Sequence, residues 1–187
     1  MVRKKAYDEA TVIEKALELF WCNGYETTSM RLLEETMGIN KFSIYSSFES
    51  KQGVFLECIK SYKRNLQKLV VELKDSTDGV AAIKAYFHAI LEFSKGNKTG
   101  KGCLLASTAG ELGANGDKTI MKEVSSFSDQ LKTVFAEQLA TDKTKSQDLI
   151  VKQANYLLLA IQGLANASKV YERHLLEDYI EMTFKNI

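Results

Sequence analysis

Apolar residues recur along this chain at intervals of three and four, and the strict alternation that would mark strands is missing. Ile13, Ala16, Leu17 and Phe20 fall at i, i+3, i+4 and i+7, with Glu14, Lys15 and Glu18 on the other side, which predicts a first helix over 8–23. Asn23-Gly24 is a stop signal. Thr28 is the expected N-cap of a short second helix, SMRLLEET, that ends at Gly38, and Asn40 the N-cap of a third over 41–48. Ser50 opens a longer fourth helix, with Phe55, Ile59, Tyr62, Leu66, Leu69 and Leu73 in one stripe and Lys60, Lys63, Arg64 and Lys68 solvated.

A polar break at 75–79 is the expected hinge between an N-terminal and a C-terminal part. Val80, Ile83, Phe87, Ile90 and Leu91 mark a fifth helix, SKGNKTGKG over 94–102 reads as a loop, and a brief sixth helix covers 103–112. Ile120, Val124, Phe127, Leu131, Val134 and Phe135 define a seventh. An eighth over about 145–171 and a ninth over about 174–184 follow. The expectation is an all-α fold of about nine helices, with residues 1–50 as one domain and 51–187 as a second. Composition strengthens it: the chain of 187 residues has no proline, where average usage would supply roughly nine and each inside a helix would cost about 3 kcal/mol.

Charge and cysteine usage narrow the chemistry. A net charge of +1 gives no bulk attraction to nucleic acid, so DNA binding would need locally placed cations. Three widely spaced cysteines, Cys22, Cys58 and Cys103, form neither a disulfide framework nor a zinc motif and suit a reducing cytoplasm. Cys22 and Cys58 fall within helices, where packing is the expected role. No leader pattern or membrane-length apolar run is present. Nothing resembles a phosphate loop or HExxH, so neither cofactor nor metal is expected, and His88 and His174 stand single. An enzyme reading is left with Cys103 and His88 alone.

Two short helices joined at Gly38-Ile39-Asn40 and covered by a third have the layout of a helix-turn-helix. Ile44 and Phe48 would hold the second of the pair against Leu32, Leu33 and Phe20, leaving Asn40, Lys41, Phe42 and Ser43 turned toward a major groove. Tyr45, Ser46 and Lys51 can donate to phosphates, and Thr28 offers a further phosphate site at the start of the second helix. Arg3, Lys4 and Lys5 would add a basic arm. Spacing alone leaves plain core packing open beside DNA reading.

The run FWCNGYETTSMRLLEETMGINKFSIYSSFESKQGVF closely resembles the DNA-binding signature of the TetR family of bacterial repressors. Phe20, Gly24, Tyr25, Thr27, Thr28, Gly38, Ile39, Ile44, Tyr45, Phe48, Ser50 and Lys51 carry the match. The resemblance implies that residues 1 to about 50 bind double-stranded operator DNA and that the rest binds a small effector and dimerises. Phe42, where small residues are common, and Ser47, where His or an aromatic is frequent, depart from the pattern and leave the operator sequence open.

Beyond residue 60 the resemblance weakens. Gly163, Ala160 and Ala167 on the eighth helix would allow close helix approach, either inside the chain or in a homodimer built from the eighth and ninth helices. An effector cavity is expected among helices five to eight, with Tyr62, Phe87, Leu91, Phe127, Leu131 and Tyr156 as candidates. KGCLLASTAGEL resembles a stretch in TetR-like regulators of which some respond to electrophiles or oxidants. Cys103 at a helix N-terminus beside Lys101 would be a reactive thiol or a small packed hydrophobe. A helical adaptor that binds protein instead of DNA is the alternative function.

Overall fold

The computed structural model describes residues 7–95, 100–185 and 187, and the basic arm at residues 3–5 lies outside them, as do residues 96–99 of the loop expected over 94–102. Nine helices account for the described fold, and 77% of the described residues are helical. They are α1 (Glu9–Asn23), α2 (Met30–Met37), α3 (Lys41–Phe48), α4 (Lys51–Asp75), α5 (Val80–Lys95), α6 (Leu104–Leu112), α7 (Lys118–Leu139), α8 (Gln147–Ala167) and α9 (Arg173–Phe184).

Most helix starts are fixed by a side chain that takes one of the orphan N–H groups of the first turn. Asp8 accepts from Thr11 N at 2.8 Å, Asn40 from Ser43 N at 2.8 Å, Ser50 from Gly53 N at 3.0 Å and Ser146 from Leu149 N at 3.3 Å. The cap of α2 is Ser29, whose hydroxyl accepts from Leu32 N at 3.2 Å. Thr28, expected there from the sequence, is fully buried and donates its hydroxyl to Gly24 O at 2.7 Å. The eighth helix is shorter than its pattern predicts, because Ser168 turns the chain at its end.

α4 is the spine of the molecule. Twenty-five residues at 1.5 Å each make it about 37 Å long. Its N-terminal half packs on α1 and its C-terminal half on α5 and α7. The buried stripe runs through Phe55, Ile59, Tyr62, Leu66, Val70 and Leu73, and Val70 takes the inward place expected for Leu69, which is only half-buried. Helical pitch explains the slip, since i+4 from Leu66 stays closer to the stripe than i+3 does at that point. Where α4 ends, Gln138 of α7 donates its amide to Leu73 O and Ser76 O, both at 2.9 Å, so a side chain satisfies carbonyls the helix leaves open.

α7 lies between α4 and α8, and α9 packs across α5 and α8. One apolar core continues from Val12 and Leu33 in the first helices to Leu176 and Ile180 in the last. Among the described residues no helix is long and apolar enough to cross a membrane.

Candidate nucleic-acid interface and the cavity behind it

The α2–α3 corner is made by Gly38, whose φ of 70° and ψ of 25° put it in the left-handed region that closes a helix without a Cβ penalty. Glu34 reaches across the corner and accepts the N–H of Lys41, so the carboxylate of one helix caps the start of the next. Ile44 is fully buried and Phe48 nearly so, as the four-residue spacing predicts. On the far side of α3 the Tyr7 hydroxyl meets Ser47 Oγ at 2.7 Å and donates to Ser43 O at 3.3 Å. Ser47 therefore serves as a pin to the N-terminal segment.

What these contacts leave outward is short and specific. Asn40, Lys41, Tyr45 and Ser46 are exposed, Ser43 is half-buried, and Phe42 is 80% exposed. The Lys41 ammonium stands 5.7 Å from the centre of the Tyr45 ring, so charge and phenol share one edge of the helix. Such a face can enter a groove 12 Å wide, with hydroxyl and ammonium donors for phosphate oxygens and an aromatic edge for a thymine methyl.

Two expected phosphate donors behave differently. The buried Thr28 hydroxyl is spent on Gly24 O, so the exposed side chain at the start of α2 is Ser29. Lys51 is half-buried, with its ammonium 4.4 Å from the centre of the Tyr25 ring and 3.4 Å from Glu26 O. That lysine ties the start of α4 to the α1–α2 turn.

Behind this head, α4 to α8 enclose a cavity of about 270 Å³. Of the candidates, Tyr62, Phe127 and Leu131 line it, and so does Cys103. Phe87 and Leu91 do not: they are turned to the opposite side of α5, where Phe87 meets Phe184 at 5.0 Å and Phe135 at 6.2 Å. Tyr86, one residue earlier, lines the cavity instead, with Ser94 and, from α8, Gln162. An amphipathic stripe fixes that a helix has an inner face but not which neighbour fills each half of it. Tyr156 is 49% exposed on the outer face of α8 and takes no part in the cavity.

Cys103 is the N-cap residue of α6, half-buried and free. The ammonium of Lys101 is turned away from it, paired with Glu18 and stacked 5.2 Å from the centre of the Trp21 ring. Tyr62 accepts a hydrogen bond from Leu104 N at 3.3 Å. Burial first, and then the neighbouring Cys103 thiol, push the Tyr62 and Tyr86 phenols well above their ordinary range, so both are protonated. Cys58 is buried between α1 and α4 and its thiol is pushed up by burial, whereas Cys22, expected to pack, is exposed.

Head and cavity are joined by a residue the sequence does not single out. Glu111 of α6 accepts the backbone N–H of Tyr25 at 2.9 Å and of Glu26 at 2.8 Å, so the helix that walls the cavity grips the turn before α2.

The outer face of α8 and α9 carries Leu159, 69% exposed, and Met182, 61% exposed, beside Tyr156, Leu175 and Tyr179. Gly163 is exposed on that face, with the Tyr179 hydroxyl 3.8 Å from where a Cβ would stand, while Ala160 is buried in the chain's own core.

Residues 12–58 match the family described as bacterial regulatory proteins, tetR family. The chain is 25% identical to the HTH-type transcriptional regulator YezE of Bacillus subtilis over 98% of its own length and 97% of that protein's. It is 29% identical to the HTH-type transcriptional repressor ComR of Escherichia coli, over 81% of this chain and 68% of ComR. Among solved structures, a cysteine-substituted form of the TetR-family regulator CifR in complex with a 26-bp operator duplex superposes with a TM-score of 0.87 at 22% identity, covering 98% of this chain and 99% of that one. Residues 12–58 thus carry the signature of the tetR family of bacterial regulatory proteins, and the whole chain shares the fold of solved TetR-family regulators.

Proposed function

We propose that the chain is a repressor that grips operator DNA as a homodimer and releases it when a small molecule fills the cavity behind the reading head. The observation that carries the reading is the exposed run at the start of α3, where Phe42 at 80% exposure has no structural role to account for it. Asn40, Lys41, Phe42 and Ser43 read base edges; Tyr45 and Ser46, with the exposed Ser29 at the start of α2, hold phosphates and set the register. Lys51 acts through the Tyr25 turn and adds its charge to the same edge.

Reading two half-sites requires two heads held roughly 34 Å apart. The apolar outer face of α8 and α9, centred on Leu159, Tyr179 and Met182, is the surface that a second copy covers. ComR bears the name of a repressor, which supports that sign of regulation here.

Release works as a population shift between a dimer with heads at groove spacing and one with heads displaced. Two elements couple cavity to head: α4, with Tyr62 on the cavity and Lys51 at its start, and α6, with Leu105 on the cavity and Glu111 on the Tyr25 turn. Cys103, half-buried on the cavity wall, gives thiol modification a second route to the same shift.

A gel-shift with the DNA flanking its own gene tests the reading. A retarded band that survives excess unrelated duplex supports it. Failure to retard that DNA or any fragment of its genome would leave the protein-binding adaptor in its place.

A further inference from the structure

The cavity walls carry a chemical asymmetry that bears on what can occupy them. Among the described residues, no Lys, Arg or His lines the cavity, and Asp129, its one carboxylate, sits on the exposed rim of α7. A carboxylate ligand would lose its hydration with no cation to replace it, and a buried ammonium would meet only the distant rim. The inner wall is apolar and aromatic, built from residues such as Leu66, Ile90, Phe93, Phe127 and Ile161.

One hydroxyl in this apolar wall has an unspent hydrogen. Ser94, near the end of α5, is 1% exposed and its Oγ has no hydrogen-bond partner. Its neighbours in sequence do not explain this. The Ser94 carbonyl is satisfied by Lys101 N at 2.8 Å and Gly102 N at 3.2 Å. Other buried helical hydroxyls fold back onto the preceding turn, as Thr108 does to Leu104 O and Thr183 to Tyr179 O, both at 2.8 Å. Ser94 does not, and a buried hydroxyl left alone is destabilising unless something else takes its hydrogen. Tyr62 accepts from Leu104 N and is hydrogen-bonded to the Cys103 side chain, and Tyr86 supplies a second protonated phenol in the same wall.

We infer that the cavity takes a small neutral ligand with an apolar, ring-sized body and a carbonyl oxygen, which accepts the hydrogen of Ser94. The inference rests on the reading of the cavity as the effector site and names its ligand class. The volume of about 270 Å³ falls just below the usual range for ligand pockets, roughly 300–1,000 Å³. It fits a single substituted ring better than a fused polycycle.

The chain reports on its own cavity. Trp21 is its one tryptophan, and the ring stands 5.0 Å from Tyr62 and 5.8 Å from Phe93, both on the cavity wall. Four probes of one size are titrated against Trp21 fluorescence: acetophenone, ethylbenzene, benzoate and benzylamine. Acetophenone is expected to bind most tightly, ethylbenzene about tenfold more weakly, and the two ions not measurably. Ser94→Ala is expected to bring acetophenone to the ethylbenzene level and leave ethylbenzene unchanged. Tighter binding of benzoate or benzylamine than of acetophenone would overturn the ligand class while leaving the effector site in place. Equal acetophenone affinity in wild type and Ser94→Ala would overturn the carbonyl contact in the same way. Silence from all four probes would overturn the effector reading itself, and the inference with it.

Discussion

A Cβ at Gly53 would stand 1.8 Å from Phe48 O, which leaves no room for any other residue where α3 hands over to α4. Gly53→Ala is therefore expected to destabilise the protein by on the order of 3 kcal/mol in denaturant melts, because the clash is with backbone that cannot rotate away. The thiols make a second prediction at this scale. Under native conditions a thiol reagent should label the exposed Cys22 first and leave Cys58 untouched until the protein unfolds, since burial keeps that thiol protonated and covered. Mass spectrometry of the labelled chain, with Cys58 modified early, would contradict the packing described between α1 and α4. Asp8 makes the third. Hydrogen bonds from the Thr11 hydroxyl and N–H hold its carboxyl below the usual value, so its cap is fully formed above the unfolded pKa of about 3.9 and is lost as pH falls through the lower folded value. Asp8→Asn should remove that part of the acid sensitivity, read as denaturant midpoints between pH 5 and pH 2. Local chemistry of this kind is what a sequence states most clearly: Asn40, Ser50 and Gly38 all do what their types and positions predict. Thr28 and Ser29 show the limit, for two adjacent hydroxyls can both cap, and the choice falls to whichever one the turn leaves unburied.

Among the elements, α6 has the most to lose from a single change. Glu111→Ala removes two hydrogen bonds to the Tyr25–Glu26 turn, and each exposed bond of this kind contributes about 1 kcal/mol. The expected result is a modest fall in stability and a larger fall in ligand response than in DNA affinity, with Glu111→Gln intermediate because it keeps one acceptor. Full ligand release in Glu111→Ala would show that α4 alone carries the signal. Nothing in the run GEL announces this contact, since it joins residues 86 apart. The same limit explains the cavity. Periodicity placed Phe127 and Leu131 on an inner face correctly, yet it could not choose between Tyr86 and Phe87, because α5 is buried on two sides and the two halves serve different neighbours. Ser94 was hidden for another reason: a serine beside a Gly- and Lys-rich run reads as loop, and only its depth in the fold gives its hydroxyl a meaning.

On the scale of the whole molecule, the apolar face of α8 and α9 and the exposed start of α3 belong to one requirement. Leu159 and Met182 are more than half exposed, on helices that also expose Tyr156, Leu175 and Tyr179, while a lone head can read one half-site at most. Leu159→Glu with Met182→Glu is expected to give a folded monomer in sedimentation equilibrium that no longer retards its operator; a dimer that survives both changes would move the interface elsewhere. The nine-helix order was legible from spacing, capping residues and the absence of proline, because each is a local signal repeated along the chain. The outer face was legible only in part: Tyr156 looked like cavity and Ala160 like interface, since an apolar residue on a helix does not say whether its partner is intramolecular. The most direct test of the account is a binding titration of wild type, Phe42→Ala and Lys41→Ala on the DNA flanking the gene and on a scrambled duplex, at matched salt. The account predicts that both variants keep their scrambled-duplex affinity within about threefold and lose about tenfold or more on the cognate DNA, the worth of one base contact at 1–3 kcal/mol. Equal losses on both duplexes, or no loss on either, would contradict it.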